Sequence, residues 1–261
     1  MTTFSHILQK YYAEAPGRVS VYLQYATQDD EPVSYKALLD GANAYAQAYA
    51  ENGIQPGDVV VLILQHGTAL LYAFWGAVLY GAIPSIMPFL TEKLSPERYR
   101  ADLSALVSVT KPAAIVTYPE FEQNVRDALE ERGSVRAVIV SDQIGDASPP
   151  DFSLLSGIKH SPEDVVLLQH SSGTTGLQKG VALSHQAVLN QLDAYGQSIQ
   201  LNAEKDVIVS WLPLYHDMGL IASFLLPILK GVPLVLISPF DWVRAPYKLM
   251  QAVSQYNGTL T

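Results

Sequence analysis

The run Val59-Val60-Val61-Leu62-Ile63-Leu64 constrains the fold more than any other stretch of this chain. Continuous apolar character leaves no polar face for water, which is the mark of a strand covered on both sides. Pro56-Gly57-Asp58 forms the turn that leads into it. The same pattern then repeats. A helix from about Thr68 to Tyr80 leads to a strand around Ile83–Met87, and a helix near Pro96–Val107 leads to the strand Ala113–Tyr118. Glu120–Glu131 is a further helix, and Val135–Ser141 a further strand. Strand and helix taking turns over short connections predict right-handed βαβ units. The fold class is therefore α/β, with largely parallel sheets flanked by helices.

Upstream, residues 2–14 have the spacing of an amphipathic helix, and Val19–Tyr25 alternates as a strand. Asp29-Asp30-Glu31-Pro32 reads as a turn; Ser34 is placed to cap a helix to about Glu51, which Asn52-Gly53 ends. Downstream, Gly145, Pro149, Pro150, Gly157 and Pro162 break all periodicity, so a subdomain junction is expected near residues 142–162. Then come the strand Val165–Gln169, a helical pattern that begins over Val181–His185 and runs as a helix from about Ser184 to Ser198, and the strand Val207–Trp211. A helix from Met218 to about Leu229, the strand Val232–Ile237 and a helix from Trp242 to Gln255 complete the pattern. Asn257-Gly258-Thr259-Leu260-Thr261 reads as a turn leading into a new strand, and the expectation is a truncated chain.

Composition limits function. The 261 residues are 49% hydrophobic and 16% charged, enough for one large or two modest domains with a sizeable core. A net charge of −9 argues against a grip on nucleic-acid phosphates. Zero cysteines exclude disulfides, thiolate metal sites and a cysteine nucleophile. The uncharged run from Gly67 to Leu90 is interrupted at Gly81 and Pro84. Its helical part covers roughly 22 Å, short of the roughly 30 Å bilayer core. No transmembrane segment and no signal peptide are predicted, and a cytoplasmic location is expected.

One segment is built for chemistry rather than packing. Gln169-His170-Ser171-Ser172-Gly173-Thr174-Thr175-Gly176-Leu177-Gln178-Lys179-Gly180 offers hydroxyls, glycine-freed amides and one ammonium, with Leu177 its one large apolar side chain. Many short donors suit an anion with several oxygens, a triphosphate above all. It is not a Walker loop, because Lys179 is followed by Gly180 instead of a Ser or Thr that could hold Mg²⁺. The competing reading is a Ser/Gly/Thr surface linker. The second segment is Ser210-Trp211-Leu212-Pro213-Leu214-Tyr215-His216-Asp217-Met218-Gly219-Leu220. Pro213 enforces a turn and sets His216-Asp217 near a helix N-terminus, where a negative ligand is favoured. Here too a plainer reading stands, with Asp217 an N-cap and His216 a hydrogen-bonded loop residue. His6, His66 and His160 lack metal-ligand spacing, His185 is expected to be structural, and His170 lies where it can touch a nucleotide.

Ser171-Ser172-Gly173-Thr174-Thr175-Gly176-x-x-Lys179-Gly180 closely resembles the phosphate-binding loop of the adenylate-forming (acyl-adenylate, AMP-binding) enzyme superfamily. The L-P-L-Y-H-D-M-G-L segment over Leu212–Leu220 is similar to that family's second core motif. Together with Ser238-Pro239-Phe240-Asp241-Trp242-Val243-Arg244-Ala245-Pro246 it looks most like the fatty acyl-AMP ligase and long-chain acyl-CoA synthetase branch. The resemblance implies activation of a carboxylic acid by ATP, giving acyl-adenylate and pyrophosphate, for transfer to CoA or to the phosphopantetheine of an acyl carrier protein. It implies that the Ser171, Ser172, Thr174 and Thr175 hydroxyls and the Gly173 and Gly176 amides hold the β- and γ-phosphates. Lys179 would add compensating charge, Thr175 would assist Mg²⁺, and His216 would lie near the carboxylate and α-phosphate. Met218 and Leu220 would border an acyl pocket. Residues 1–261 would then be a partial N-terminal adenylation domain, with the family's C-terminal domain absent and the chain inactive on its own. The alternative of another class is a non-catalytic fragment with at most weak phosphate binding; a Walker-type hydrolase is disfavoured by Lys179-Gly180.

Overall fold

The structure, a computed structural model, describes residues 2–88, 95–129, 133–171 and 179–261. In chain order the first elements are α1 (Phe4–Glu14), β1 (Val19–Gln24), β2 (Glu31–Ser34), α2 (Tyr35–Glu51), β3 (Val59–Leu62), α3 (Thr68–Tyr80) and β4 (Ile83–Ile86). Next come α4 (Pro96–Thr110), β5 (Ala114–Thr117), α5 (Glu122–Ala128), β6 (Ala137–Val140), β7 (Val165–Ser171), β8 (Lys179–Ser184) and α6 (His185–Ser198). The last are β9 (Ile208–Ser210), a π-helical segment (Met218–Leu225), α7 (Leu226–Lys230), β10 (Leu234–Ile237), α8 (Pro239–Arg244) and α9 (Tyr247–Tyr256). They divide between two compact units. One comprises Met1–Leu39, Ser161–Glu163 and Ser184–Thr261, the other Asp40–His160 and Asp164–Leu183.

In the second unit the sheet order is β4-β3-β5-β6, and every pairing is parallel. Val60, Val61 and Leu62 are fully buried at its centre, as the unbroken apolar run of β3 requires. α3 is buried along Leu70–Leu79 except at Tyr72, with Trp75 wholly enclosed, so its uniform hydrophobicity serves the core. No helix among the described residues is long and apolar enough to cross a membrane. Leu103 and Leu106 of α4, Val125 of α5 and Phe121 just before it pack with Val61 and Ile115 in one core cluster.

The first unit holds the sheet β2-β1-β10-β9, in which β1, β10 and β9 run parallel and β2 runs antiparallel to β1. Local signals act as their chemistry dictates. The Ser34 and Ser184 hydroxyls accept hydrogen bonds from Ala37 N–H (3.1 Å) and Ala187 N–H (3.2 Å), and so start α2 and α6. At the other end of α2, in the second unit, Gly53 stops the helix with φ 71°, a left-handed conformation that favours glycine.

Several expected boundaries change for identifiable reasons. Glu31–Ser34 is a strand and not part of a turn; Pro32 is tolerated there because β2 lies at the sheet edge. The helical pattern expected to begin over Val181–His185 does not, because Lys179–Ser184 pairs with β7 and Ser184 delays the helix to His185. The helix expected from Glu120 to Glu131 is a 3-10 turn (Pro119–Phe121) followed by α5, which stops at Ala128. The single helix expected over Trp242–Gln255 is broken at Ala245-Pro246 into α8 and α9, where proline lacks the N–H that continuation needs. The helix from Met218 opens as a π-helix. Leu226 N–H donates to Ile221 O, five residues back, and Pro227 has no N–H to offer.

Candidate functional site

The hydroxyl-rich segment lies between two paired strands. Ser171 is the last residue of β7 and Lys179 the first of β8, so backbone pairing holds both ends of the segment. Ser172, Gly173, Thr174, Thr175 and Gly176 lie outside the described residues, as do the side chains of Ser171 and Lys179. What the structure describes here is the frame. β7 is buried at Val166, Leu167 and Gln169 and partly covered at Val165, Leu168 and His170.

His170, the residue before Ser171, is the polar group of this frame that needs explaining. Both ring nitrogens are shielded from solvent, and neither has a hydrogen-bond partner among the described residues. Burial lowers the imidazole pKa below its ordinary 6.5 by penalising the charged form, so the ring is neutral at neutral pH. A neutral imidazole carries one donor and one acceptor, and leaving both unmade is costly.

The His216 segment belongs to the first unit and is described in full. It leaves β9 through a Ser210 hydroxyl that accepts from Leu212 N–H at 3.2 Å. His216 N–H then donates to Pro213 O at 3.1 Å, which closes a turn, and Leu220 N–H donates to His216 O at 2.8 Å, which opens the helix. The Asp217 carboxylate accepts from Met218 N–H at 2.7 Å. Asp217 is thus an N-cap, as the plainer reading held. His216 itself is exposed, with its ring beside Tyr215 (centroids 5.2 Å apart). Gly219 is required by close approach: a Cβ there would sit 2.2 Å from Pro213 O. Met218 is 61% exposed but Leu220 only 2%, so Leu220 serves the core and is withdrawn as a pocket residue.

The other histidines act structurally where the structure describes their bonds. His185 Nδ1 accepts from Phe4 N–H at 3.2 Å, closing the N-terminus of α1, and its ring meets Phe4 edge-on. His6 Nδ1 pairs with the Thr3 hydroxyl at 2.8 Å. Among the described residues no group of three or more His, Asp or Glu side chains is placed to hold a metal ion. The described side chains therefore offer no dedicated Mg²⁺ cage, and Thr175, the expected protein ligand, is outside them. Sequence reading passed over Trp211 and Trp242, which stack face to face at 3.6 Å in the first unit. Their signal was faint: two of only three tryptophans, each inside a segment singled out for other residues.

The fold is that of the adenylate-forming enzymes. The chain belongs to the AMP-binding enzyme family, whose profile matches residues 8–261. A putative ligase of Mycobacterium tuberculosis is 26% identical over 220 residues, covering 84% of this chain and 39% of that protein. The long-chain-fatty-acid–AMP ligase FadD26 of Mycobacterium marinum is 28% identical over 240 residues, covering 87% of this chain and 40% of that protein. Among solved structures, a fatty acyl-adenylate ligase of the E. coli and L. pneumophila pair superposes with a TM-score of 0.84 at 25% identity, over 100% of this chain and 46% of that one. The L. pneumophila enzyme in complex with acyl adenylate and pyrophosphate gives 0.81 at 25% identity, over 98% and 43%. The chain spans about two fifths of the length of these curated relatives.

Proposed function

We propose that this chain carries the phosphate-binding part of an ATP-dependent ligase that activates a carboxylic acid, a fatty acid foremost, as its acyl-adenylate. The observation that carries the reading is the segment from Ser171 to Gly180. It is rich in hydroxyls and glycine and joins two paired strands, in a chain whose residues 8–261 match the AMP-binding family. A carboxylate oxygen attacks the α-phosphorus of ATP in line; the bond to the β-phosphate breaks, and pyrophosphate leaves with the electron pair. The protein's work is positioning and neutralising charge. Ser171, Ser172, Thr174 and Thr175 donate hydroxyl hydrogen bonds to the β- and γ-phosphates, Gly173 and Gly176 donate amides, and Lys179 contributes a cation. His216 meets the carboxylate and the α-phosphate, and the exposed Met218 borders the acid's apolar tail. Mg²⁺ would arrive on the phosphate oxygens, with Thr175 as its protein hydroxyl, and would neutralise phosphate charge. The acceptor of the acyl group is a thiol, that of CoA or of a carrier-protein phosphopantetheine.

The 261 residues correspond to less than half the length of the relatives, and we propose that they do not complete adenylation alone. Calorimetric titration of the purified chain with ATP·Mg²⁺ should give measurable binding that Lys179→Ala weakens at least about tenfold, the scale of one charge-assisted hydrogen bond. Pyrophosphate–ATP exchange should be undetectable. Exchange that Lys179→Ala abolishes would show the chain to be sufficient, and an absence of binding heat would favour the second reading, a non-catalytic piece with at most weak phosphate affinity.

A further inference from the structure

The helix α8 is anchored in an unusual way. None of its six residues is fully buried, and Trp242 only partly covers the core cluster of Val209, Val235, Ile237 and Ala252, so apolar burial fixes its place only in part. Two polar ties do part of that work. The Asp241 carboxylate accepts from Ala26 N–H at 3.0 Å, and just beyond α8 the Lys248 ammonium donates to Tyr25 O (2.6 Å) and Ala26 O (2.9 Å). Both ties reach the residues immediately after β1, a central strand of the same unit. The third tie is Trp242, whose indole lies on that of Trp211 with the planes 8° apart and the centroids 3.6 Å apart. Full face-to-face overlap is less favoured than offset or edge-on packing of aromatic rings. The arrangement therefore reflects what holds the two backbones more than any preference of the rings.

Trp211 is the first residue after β9, and the turn that presents His216 begins at the next one. The turn is exposed at His216, Asp217 and Met218. We propose that Trp211 and Trp242 are positioning residues: the indole stack clamps the His216 turn to α8, Asp241 fixes α8 to the end of β1, and Lys248 fixes the start of α9 to the same place. The two sequence segments, Leu212–Leu220 and Ser238–Pro246, then act as one mechanical unit. The value of placing His216 rests on the function proposed for this chain; the clamp itself does not.

Backbone amide hydrogen exchange of the whole chain, with no nucleotide present, tests the clamp independently of ATP binding. His216 N–H and Leu220 N–H report the turn, and the amides of Leu234–Ile237 in β10 report the sheet. Trp242→Leu should speed exchange at His216 and Leu220 about fivefold, the factor equivalent to the ~1 kcal/mol of an aromatic pair, and leave β10 unchanged. Trp242→Phe, which keeps a ring face, should restore exchange to within about twofold of the parent. Asp241→Ala leaves both indoles in place and cuts one tie, and should raise exchange at His216 by about threefold should the leucine variant fail to fold. Unchanged exchange at His216 in every folded variant would overturn the proposal, and so would leucine and phenylalanine acting alike.

Discussion

The two motifs of this protein are held in opposite ways. The hydroxyl-rich segment is gripped at its ends by the pairing of β7 with β8, and its residues are short, polar and poor in packing surface. The His216 turn is gripped from within, by Ser210, the Pro213 carbonyl, the Asp217 cap and the space left by Gly219. On the function proposed for this chain, the first arrangement would separate binding from folding, because short polar residues have little apolar surface to give to a core. The second fuses them, since the backbone that presents His216 is also the backbone that starts a buried helix. Substitutions should therefore damage ligand binding in one place and stability in the other.

The largest effect should come from Gly219→Ala. The added carbon would stand 2.2 Å from Pro213 O and 2.9 Å from Pro213 C, both backbone atoms with no free rotation to yield. Overpacking of that kind costs about 3 kcal/mol or more, and urea unfolding should register it as a fall in midpoint. A neutral result would mean that the turn is not held from within, and the contrast would collapse. Lys179→Ala should do the reverse. It should leave the unfolding free energy within about 0.5 kcal/mol of the parent, even as ATP·Mg²⁺ binding weakens. Loss of fold in this variant would join the two regions instead of separating them.

The smallest effect concerns His170. Its folded-state pKa lies below the 6.5 of the unfolded chain because the ring is buried. Below about pH 6.5 the unfolded state therefore binds more protons than the folded one, and stability falls as the pH drops through that value toward the folded-state pKa. Above about pH 7 this residue contributes no slope. Unfolding free energies from pH 5 to 8 should show a weaker acid loss in His170→Phe than in the parent, and identical slopes would mean that the ring is hydrated.

Much of this was legible in the sequence because each part carries its own chemistry. The run Val59–Leu64 could be nothing but a covered strand, and Ser34 and Ser184 signalled helix starts that the hydroxyls do make. The hydroxyl-rich segment stood out by composition, and the strands at its two ends are there. What was hidden depended on partners that only the folded chain supplies. Glu31–Ser34 becomes a strand only because β1 offers its edge, and β8 only because β7 offers its own. Leu220 looked available for a pocket until the packing of its helix buried it. Trp211 and Trp242 stand 31 residues apart, and no spacing rule links them before the fold does.

The π-helical opening of Met218–Leu225 gives this region slack in chain length. Leu226 N–H reaches back five residues instead of four, so the segment contains one residue more than an α-helix would need between the same ends. Removing one residue would let the segment tighten to an α-helix while the two ends, and the turn before them, kept their places. Removing a second would find no slack, and everything before it would rotate by about 100° relative to α7, the turn carried by a single residue. His216 would then point elsewhere while its sequence neighbours stayed the same.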